Sequence, residues 1–187
     1  KVFSNLEQEL RENREDLNRG GGVPDFEQPI RFQDVSFGYK TDSYILRRIN
    51  FTIPPRRTVA FVGASGAGKS TLVTLLTGIL RPSEGEVSLG DQNYRTLDQS
   101  LLRQAVGYVT QESVIFTDSI WNNITLWEQD ASEEKVRWAA EKAHIRRFIE
   151  DQPQNYESLL GDNGINISGG QRQRISIARE LFKNVKL

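Results

Sequence analysis

Cysteine is absent from this chain of 187 residues, histidine occurs once, neither sign of charge dominates, and no apolar run is long. Without cysteine there is no disulfide framework and no thiolate metal site, which fits a reducing compartment and makes a cytosolic setting the plainest expectation. Lysine and arginine total 24 against 25 aspartate and glutamate. The broad basic field that non-specific nucleic-acid binding needs is therefore missing, although a local site stays possible. The longest apolar-leaning run, Leu72 to Leu80, is broken by Thr74, Thr77 and Gly78 and falls far short of the ~20 residues that cross a bilayer. The opening residues do not read as a signal peptide. What remains, 37% apolar and 26% charged, is the mixture of an ordinary soluble, folded domain.

Residues 1–19 are highly charged, yet Val2, Phe3, Leu6, Leu10 and Leu17 recur at near-helical spacing, which predicts an amphipathic helix whose thin apolar stripe needs a partner. Gly20, Gly21, Gly22 and Pro24 then break the chain, so residues 1–29 read as a helical linker and 30–187 as the domain proper. Alternation from Ile30 to Tyr39 and from Ile49 to Ile53 predicts two half-buried strands, and the run Val59, Ala60, Phe61, Val62 a buried one. Leu72, Leu75, Leu76, Ile79 and Leu80 fall on one stripe of a helix. Beyond a turn at Pro82 to Gly85, Glu86 to Leu89 reads as a short strand, Leu97 to Gln104 as a helix and Val106 to Val109 as another short strand. The second half is mainly helical: Ser132 caps a helix with Glu133 and Glu134 in its first turn and Val136, Ala139, Ala140 and Ala143 on one side.

Between the third predicted strand and its helix lies GASGAGKS, residues 63–70, the GxxxxGKS form of a phosphate-binding P-loop. Gly63, Gly66 and Gly68, with Ala64, Ser65 and Ala67 between them, let the backbone take positive φ and turn successive N–H groups around a phosphate. The following helix adds its unpaired first-turn donors and the positive end of its dipole. Lys69 supplies a mobile charge for the outer phosphates, Ser70 a hydroxyl ligand for Mg²⁺, and Thr71 a contact to the inner phosphate oxygens. A turn that merely joins strand to helix is the alternative, but the pattern arises by chance in only about 1% of chains this long, before the flanking elements are required.

A second glycine-bearing helix start occurs at ISGGQRQR, residues 167–174, followed by Ile175, Ala178, Leu181 and Phe182 on an inward stripe. Ser168, Gly169 and Gly170 expose backbone donors and a hydroxyl at the positive dipole end; taken alone, the segment suits a helix cap with a basic solvated face better than an anion site. Together with the P-loop, however, it resembles the signature motif of ATP-binding cassette (ABC) ATPases. Gln111 in VGYVTQES resembles that family's Q-loop, and Tyr39 in FGY stands where the family's adenine-stacking aromatic lies. Details such as FTDSIWNNI, residues 116–124, and ISGGQRQRISIARELF look most like exporter half-transporters, whose last membrane helix runs into the nucleotide-binding domain. Residues 1–19 would be the tail of that helix.

The resemblance implies an α/β P-loop NTPase fold with an antiparallel β subdomain and a helical signature subdomain at about 112–180. It implies ATP and Mg²⁺ as cofactors, and the cytoplasmic face of a membrane as location. Tyr39 would stack on adenine; the alternative is a strand aromatic packed on the core. Gln111 would touch Mg²⁺ and the attacking water and sense the transport domain, against a loop amide bonding its own backbone. Ser168, Gly169, Gly170 and Gln171 would contact the γ-phosphate held by another subunit's P-loop, which makes the partners a second nucleotide-binding domain, head to tail, and a transmembrane domain, with no nucleic acid.

Departures from the family pattern bear on these expectations. Ile167 replaces the commoner leucine, a volume-conserving change. Asp162 and Asn163 stand between Gly161 and Gly164 in place of the usual Glu-Arg, and Leu159 where exporters often carry glutamate, which puts contacts to the transport domain in doubt. Family members continue into a hydrophobic strand ending in Asp-Glu, a D-loop and a switch histidine, whereas these residues stop at Val185, Lys186 and Leu187, where that strand should begin. The domain as given is thus expected to be C-terminally incomplete, to bind ATP and to hydrolyse it several orders of magnitude more slowly. Sheet edge and apolar helix faces should be exposed, predicting poor stability or rearrangement. His144 precedes the signature in a helical stretch and reads as an ordinary amphipathic residue, not as the switch histidine.

Two other functions compete with ATP-driven export. One is an ATP-dependent dimerisation switch without turnover. The other is a cassette ATPase of DNA maintenance, but those insert a long coiled coil between the two motifs, and only about a hundred residues separate Lys69 from Ser168.

Overall fold

The computed structural model describes residues 21–40, 43–111, 113–161 and 166–187. The amphipathic helix expected over 1–19 and the Asp162 to Gly164 departure lie outside the described residues. The chain folds as two compact units, one ending at Arg103 and the other running from Gln104 to Leu187.

The first unit is built on a four-stranded antiparallel sheet of order β2-β1-β3-β4, with β1 at Ile30–Phe37, β2 at Leu46–Ile53, β3 at Glu84–Leu89 and β4 at Gln92–Asn93. Ile30 and Phe32 are buried with period two, but the next buried pair is Val35 and Phe37. The phase slips because β1 bulges between Phe32 and Val35, where Asp34 takes φ of 48° and its amide donates to Asn50 Oδ1 at 2.9 Å. One extra residue flips every later side chain to the other face, which is why simple alternation does not run through the strand.

Helix α1, Lys69–Leu76, is shorter than its sequence stripe. Only Leu75 and Leu76 of the five expected side chains are fully buried, and Ile79 is 48% exposed. The cause is Gly78, which at φ of 75° turns the chain left-handed directly after the C-cap Thr77, while Gly78 N donates to Leu75 O and Leu80 N to Thr74 O, both at 3.1 Å. A glycine in this conformation ends a helix whatever hydrophobic period continues beyond it.

Helix α2, Gln99–Ala105, leads into the second unit, where α3 (Ile120–Thr125), α4 (Glu133–Lys142), α5 (Arg146–Glu150) and α6 (Gly169–Phe182) pack around one apolar cluster. Ile120, Ile124, Val136, Ile145, Ile149 and Ile175 are completely excluded from solvent there. Ser132 caps α4 as expected, its hydroxyl accepting from Lys135 N at 3.4 Å, and Val136, Ala139, Ala140 and Ala143 all turn inward. His144 corrects its sequence reading: it sits at φ of 54°, at the turn between α4 and α5, and is exposed.

Two expected strands are not formed. Residues 58–62 have no ladder partner among the described residues, and Val59 and Val62 are 43% and 91% exposed. Residues 106–109 are likewise unassigned to a sheet. A β-strand is stabilised by the backbone beside it rather than by its own composition, so apolar β-branched runs without a neighbour stay extended and unpaired. At 106 pairing has nonetheless started: Leu187 N donates to Ala105 O at 3.2 Å and Gly107 N to Leu187 O at 2.8 Å, the slanted pattern of a parallel pair between Val106 and Leu187.

Candidate functional site

The glycine loop is shaped by two left-handed residues, Gly66 at φ of 79° and Gly68 at 83°, the second serving as N-cap of α1. A Cβ on Gly68 would come within 2.8 Å of Leu46 Cδ2 and 3.2 Å of Ile45 Cγ2. The loop therefore rests flush on the start of β2, and only glycine gives both the conformation and the clearance. Gly63, Ala64, Ser65, Gly66 and Ala67 are exposed. No side chain caps α1 and no acidic residue lies in its first turn, so the amides at its head and the positive dipole end point to solvent.

Lys69, the first residue of α1, folds back over the loop, its Nζ donating to Gly63 O at 2.9 Å and Ala64 O at 2.7 Å. No carboxylate pairs with it among the described residues. Ser70 is exposed beside it, while Thr71 is buried under the helix start. An uncapped helix start, a left-handed pair of glycines and an unneutralised ammonium form a cradle that fits a polyanion and repels a cation. The exposed Ser70 hydroxyl fits a hard cation only alongside phosphate oxygens, because one neutral oxygen is far from the six that Mg²⁺ takes.

Tyr39 follows β1 and is 65% exposed, packed edge to face on Phe37 with ring centroids 5.1 Å apart. Phe37 pairs with Leu46, the residue that the loop's Gly68 rests on. The aromatic and the glycine loop are thus carried by the same pair of strands in the first unit, which the sequence spacing between residues 39 and 63 does not reveal.

Gln111 and the second glycine motif belong to the other unit. Gln111 is exposed in the loop leading to α3. Ser168 caps α6 in a reciprocal box: its hydroxyl accepts from Gln171 N at 3.3 Å, and its own amide donates to Gln171 Oε1 at 2.7 Å. The cap seen as the simpler alternative is therefore present; it uses an acceptor lone pair of the Ser168 hydroxyl and the Gln171 carbonyl oxygen, and takes up neither the hydroxyl proton nor the carboxamide NH₂. Gly169 and Gly170 are exposed in the first turn, and a Cβ on Gly170 would meet nothing within 4 Å.

Supporting residues that the sequence reading passed over hold the loop following Gln111. Asn123 is completely buried; its Nδ2 donates to Phe116 O and Ser119 O, both at 2.9 Å, and its Oδ1 accepts from Phe116 N at 2.8 Å. Arg179 of α6, only 9% exposed, donates from Nε to Asn123 O at 2.9 Å and from Nη2 to Val114 O at 3.2 Å, its guanidinium 5.3 Å from the Phe116 ring centroid. Burial pulls the Arg179 pKa downward from its usual value. Asp118 accepts from Asn122 Nδ2, Ser119 N and Trp127 Nε1, and these bonds, the one from Asn122 first, hold its carboxyl below the ordinary range. A signal was available: Asn123 and Arg179 each sit among apolar neighbours at helical spacing, and a large polar side chain on an apolar stripe is buried as a rule with hydrogen-bond partners.

The ABC transporter family's sequence model matches residues 46–187. The whole chain is 37% identical to the ATP-dependent lipid A-core flippase of Desulfotalea psychrophila, of which it spans 32%. Over 158 residues, 84% of the chain, it is 38% identical to the mitochondrial Iron-sulfur clusters transporter ATM1 of Saccharomyces cerevisiae, spanning 23% of that protein. It also matches a solved structure of a bacterial Atm1-family ABC exporter with ATP bound, at a TM-score of 0.86 and 35% identity, over 98% of this chain and 33% of that one. The chain thus spans about a third or less of each relative's length.

Proposed function

The chain belongs to the ABC transporter family, with that family's P-loop NTPase fold, and from this membership we propose that residues 30–187 are the nucleotide-binding part of an exporter that binds ATP and couples its hydrolysis to export across a membrane. The observation that carries the proposal is the glycine cradle of residues 63–70, with its uncapped helix start and uncompensated Lys69. The exporter assignment draws support from the lipid A-core flippase and iron-sulfur cluster transporter similarities.

The residues divide the work by chemistry. Amides from Gly63 to Thr71 cradle the phosphates, and Lys69 turns its ammonium from the loop carbonyls onto the outer phosphates. The Ser70 hydroxyl and the Gln111 carboxamide oxygen are each of a chemistry suited to ligate Mg²⁺, which when bound would neutralise charge building on the phosphates. Tyr39 offers its exposed ring to adenine. The first-turn amides of Gly169 and Gly170, with Ser168 and Gln171, complete the phosphate site of a second nucleotide-binding domain packed head to tail. The membrane domain of the same transporter is the other partner, and the domain lies on the cytoplasmic face. None of these residues is a general base for water, so binding rather than turnover is the discriminating measurement.

Calorimetric titration of the folded protein with Mg·ATP is expected to give saturable binding, and Lys69→Ala to weaken it by at least about tenfold, since a charge-assisted contact to phosphate contributes roughly 1.5 to 3 kcal/mol. Absence of heat from a demonstrably folded sample, or a Lys69→Ala variant that binds as tightly, would refute the assignment.

A further inference from the structure

The hollow beside Tyr39 contains a carboxylate to which the phosphate chemistry gives no role. Glu84 opens β3 opposite Ser36 of β1, and the residue before it is fastened to the same place: Ser83 N donates to Ser36 O at 2.9 Å and Ser83 Oγ accepts from Gly38 N at 3.4 Å. These bonds hold Glu84 next to the Gly38–Tyr39 segment. Across the hollow, the Tyr44 hydroxyl donates to Glu84 Oε1 at 2.7 Å. That bond, followed by burial and the carboxylate's charge, raises the Tyr44 pKa, so the hydroxyl stays a neutral donor to the carboxylate. Oε2 has no partner among the described residues. Gly38, Tyr39, Lys40, Ser43, Tyr44 and Glu84 surround the space. Tyr44 directly precedes Ile45, whose side chain lies against the glycine loop at Gly68, which ties this hollow to the phosphate cradle through one stretch of backbone.

A carboxylate oxygen only accepts hydrogen bonds, so a base lying on Tyr39 is discriminated by whether the edge it turns toward Glu84 donates. Adenine carries an amino donor at C6, where a 6-oxo purine carries an acceptor that the carboxylate repels. We propose that Glu84, held in place by Tyr44, is a specificity-determining residue that accepts a hydrogen bond from the exocyclic amino group of the base, so that the hollow selects adenine nucleotides. The inference rests on reading Tyr39 and residues 63–70 as the nucleotide site. Its selectivity is modest, because Glu84 is exposed and water competes for the same oxygen.

The test is calorimetry on the whole chain with the Mg²⁺ complexes of ATP, purine riboside triphosphate, inosine triphosphate and GTP, for the native protein, Glu84→Ala and Tyr44→Phe. ATP is expected to bind about fivefold to tenfold tighter than the purine riboside, which lacks the amino group, with inosine triphosphate weaker again. In Glu84→Ala both ratios fall to within about twofold, and Tyr44→Phe, which frees the carboxylate without removing it, lies between. A native ratio near one, or a ratio that survives Glu84→Ala, overturns the inference. So does GTP binding tighter than ATP, which would mean that the carboxylate reads the N1–H and 2-amino edge of guanine. If ATP binds and Lys69→Ala abolishes it while the base ratios are flat, the phosphate site stands and the Glu84 role alone falls; if no triphosphate binds at all, the nucleotide reading itself fails.

Discussion

Asn123 is a single buried amide that satisfies three backbone groups, the carbonyls of Phe116 and Ser119 and the amide of Phe116. The Phe116 carbonyl keeps its bond from Asp118 N and the Ser119 carbonyl its bond from the Asn123 backbone amide, so truncation strands chiefly the Phe116 amide, and Asn123→Ala should lower unfolding free energy by about 2 kcal/mol in urea titrations. Asp118 acts on the same loop through charge. Its carboxyl is held below the ordinary carboxylate range by the hydrogen bonds from Asn122, Ser119 and Trp127, with burial acting the other way. A depressed native pKa contributes stability that is complete above the unfolded value and is lost as pH falls through the native one. The urea midpoint should therefore decline as pH drops below about 4, and Asp118→Asn should remove that part of the slope while starting from a lower midpoint at pH 7. A native slope identical to that of Asp118→Asn would show that the three bonds do not discriminate the charged form.

Helix α6 illustrates how a short motif serves two purposes at different ends. Its head is closed by the Ser168 and Gln171 box, and its middle reaches the loop after Gln111 through Arg179. Ser168→Ala removes a cap, at a cost of about 1 kcal/mol, readable as an earlier urea transition. An unchanged transition would mean that water caps the helix as well as the hydroxyl does. The α1 helix follows a different rule, since its start is left without a capping side chain and stabilised instead by the loop's seat on Ile45 and Leu46. Stability there is given up where donors are needed for a ligand, which is the usual location of a broken local rule.

Across the molecule, order follows pairing. Each unit has its own core, the sheet in one and the α3 to α6 cluster in the other. Residues 58–62, outside any ladder and with Val59 and Val62 exposed, differ from both. Native-state hydrogen exchange should find amides 59–62 among the fastest and those of Ile175 to Phe182 among the slowest, because exchange tracks the free energy of local opening. Protection at 59–62 equal to that in α6 would contradict the unpaired backbone.

The order of residue types along the chain was enough for the glycine cradle, the capped helices, the apolar stripes of α4 and α6, and the family, since each depends on contacts between near neighbours or on a motif of fixed spacing. The bulge at Asp34, the early end of α1 at Gly78, and the fates of residues 58–62 and 106–109 could not be read that way. A strand exists only with a second strand beside it, and a helix ends where backbone conformation changes, whatever its hydrophobic period. Likewise, nothing in the spacing between residues 44 and 84, or between 123 and 179, announces that Tyr44 meets Glu84 or that Arg179 meets Asn123. Those meetings come from folding distant segments into one packed unit, where desolvation favours arrangements that give buried polar groups a partner.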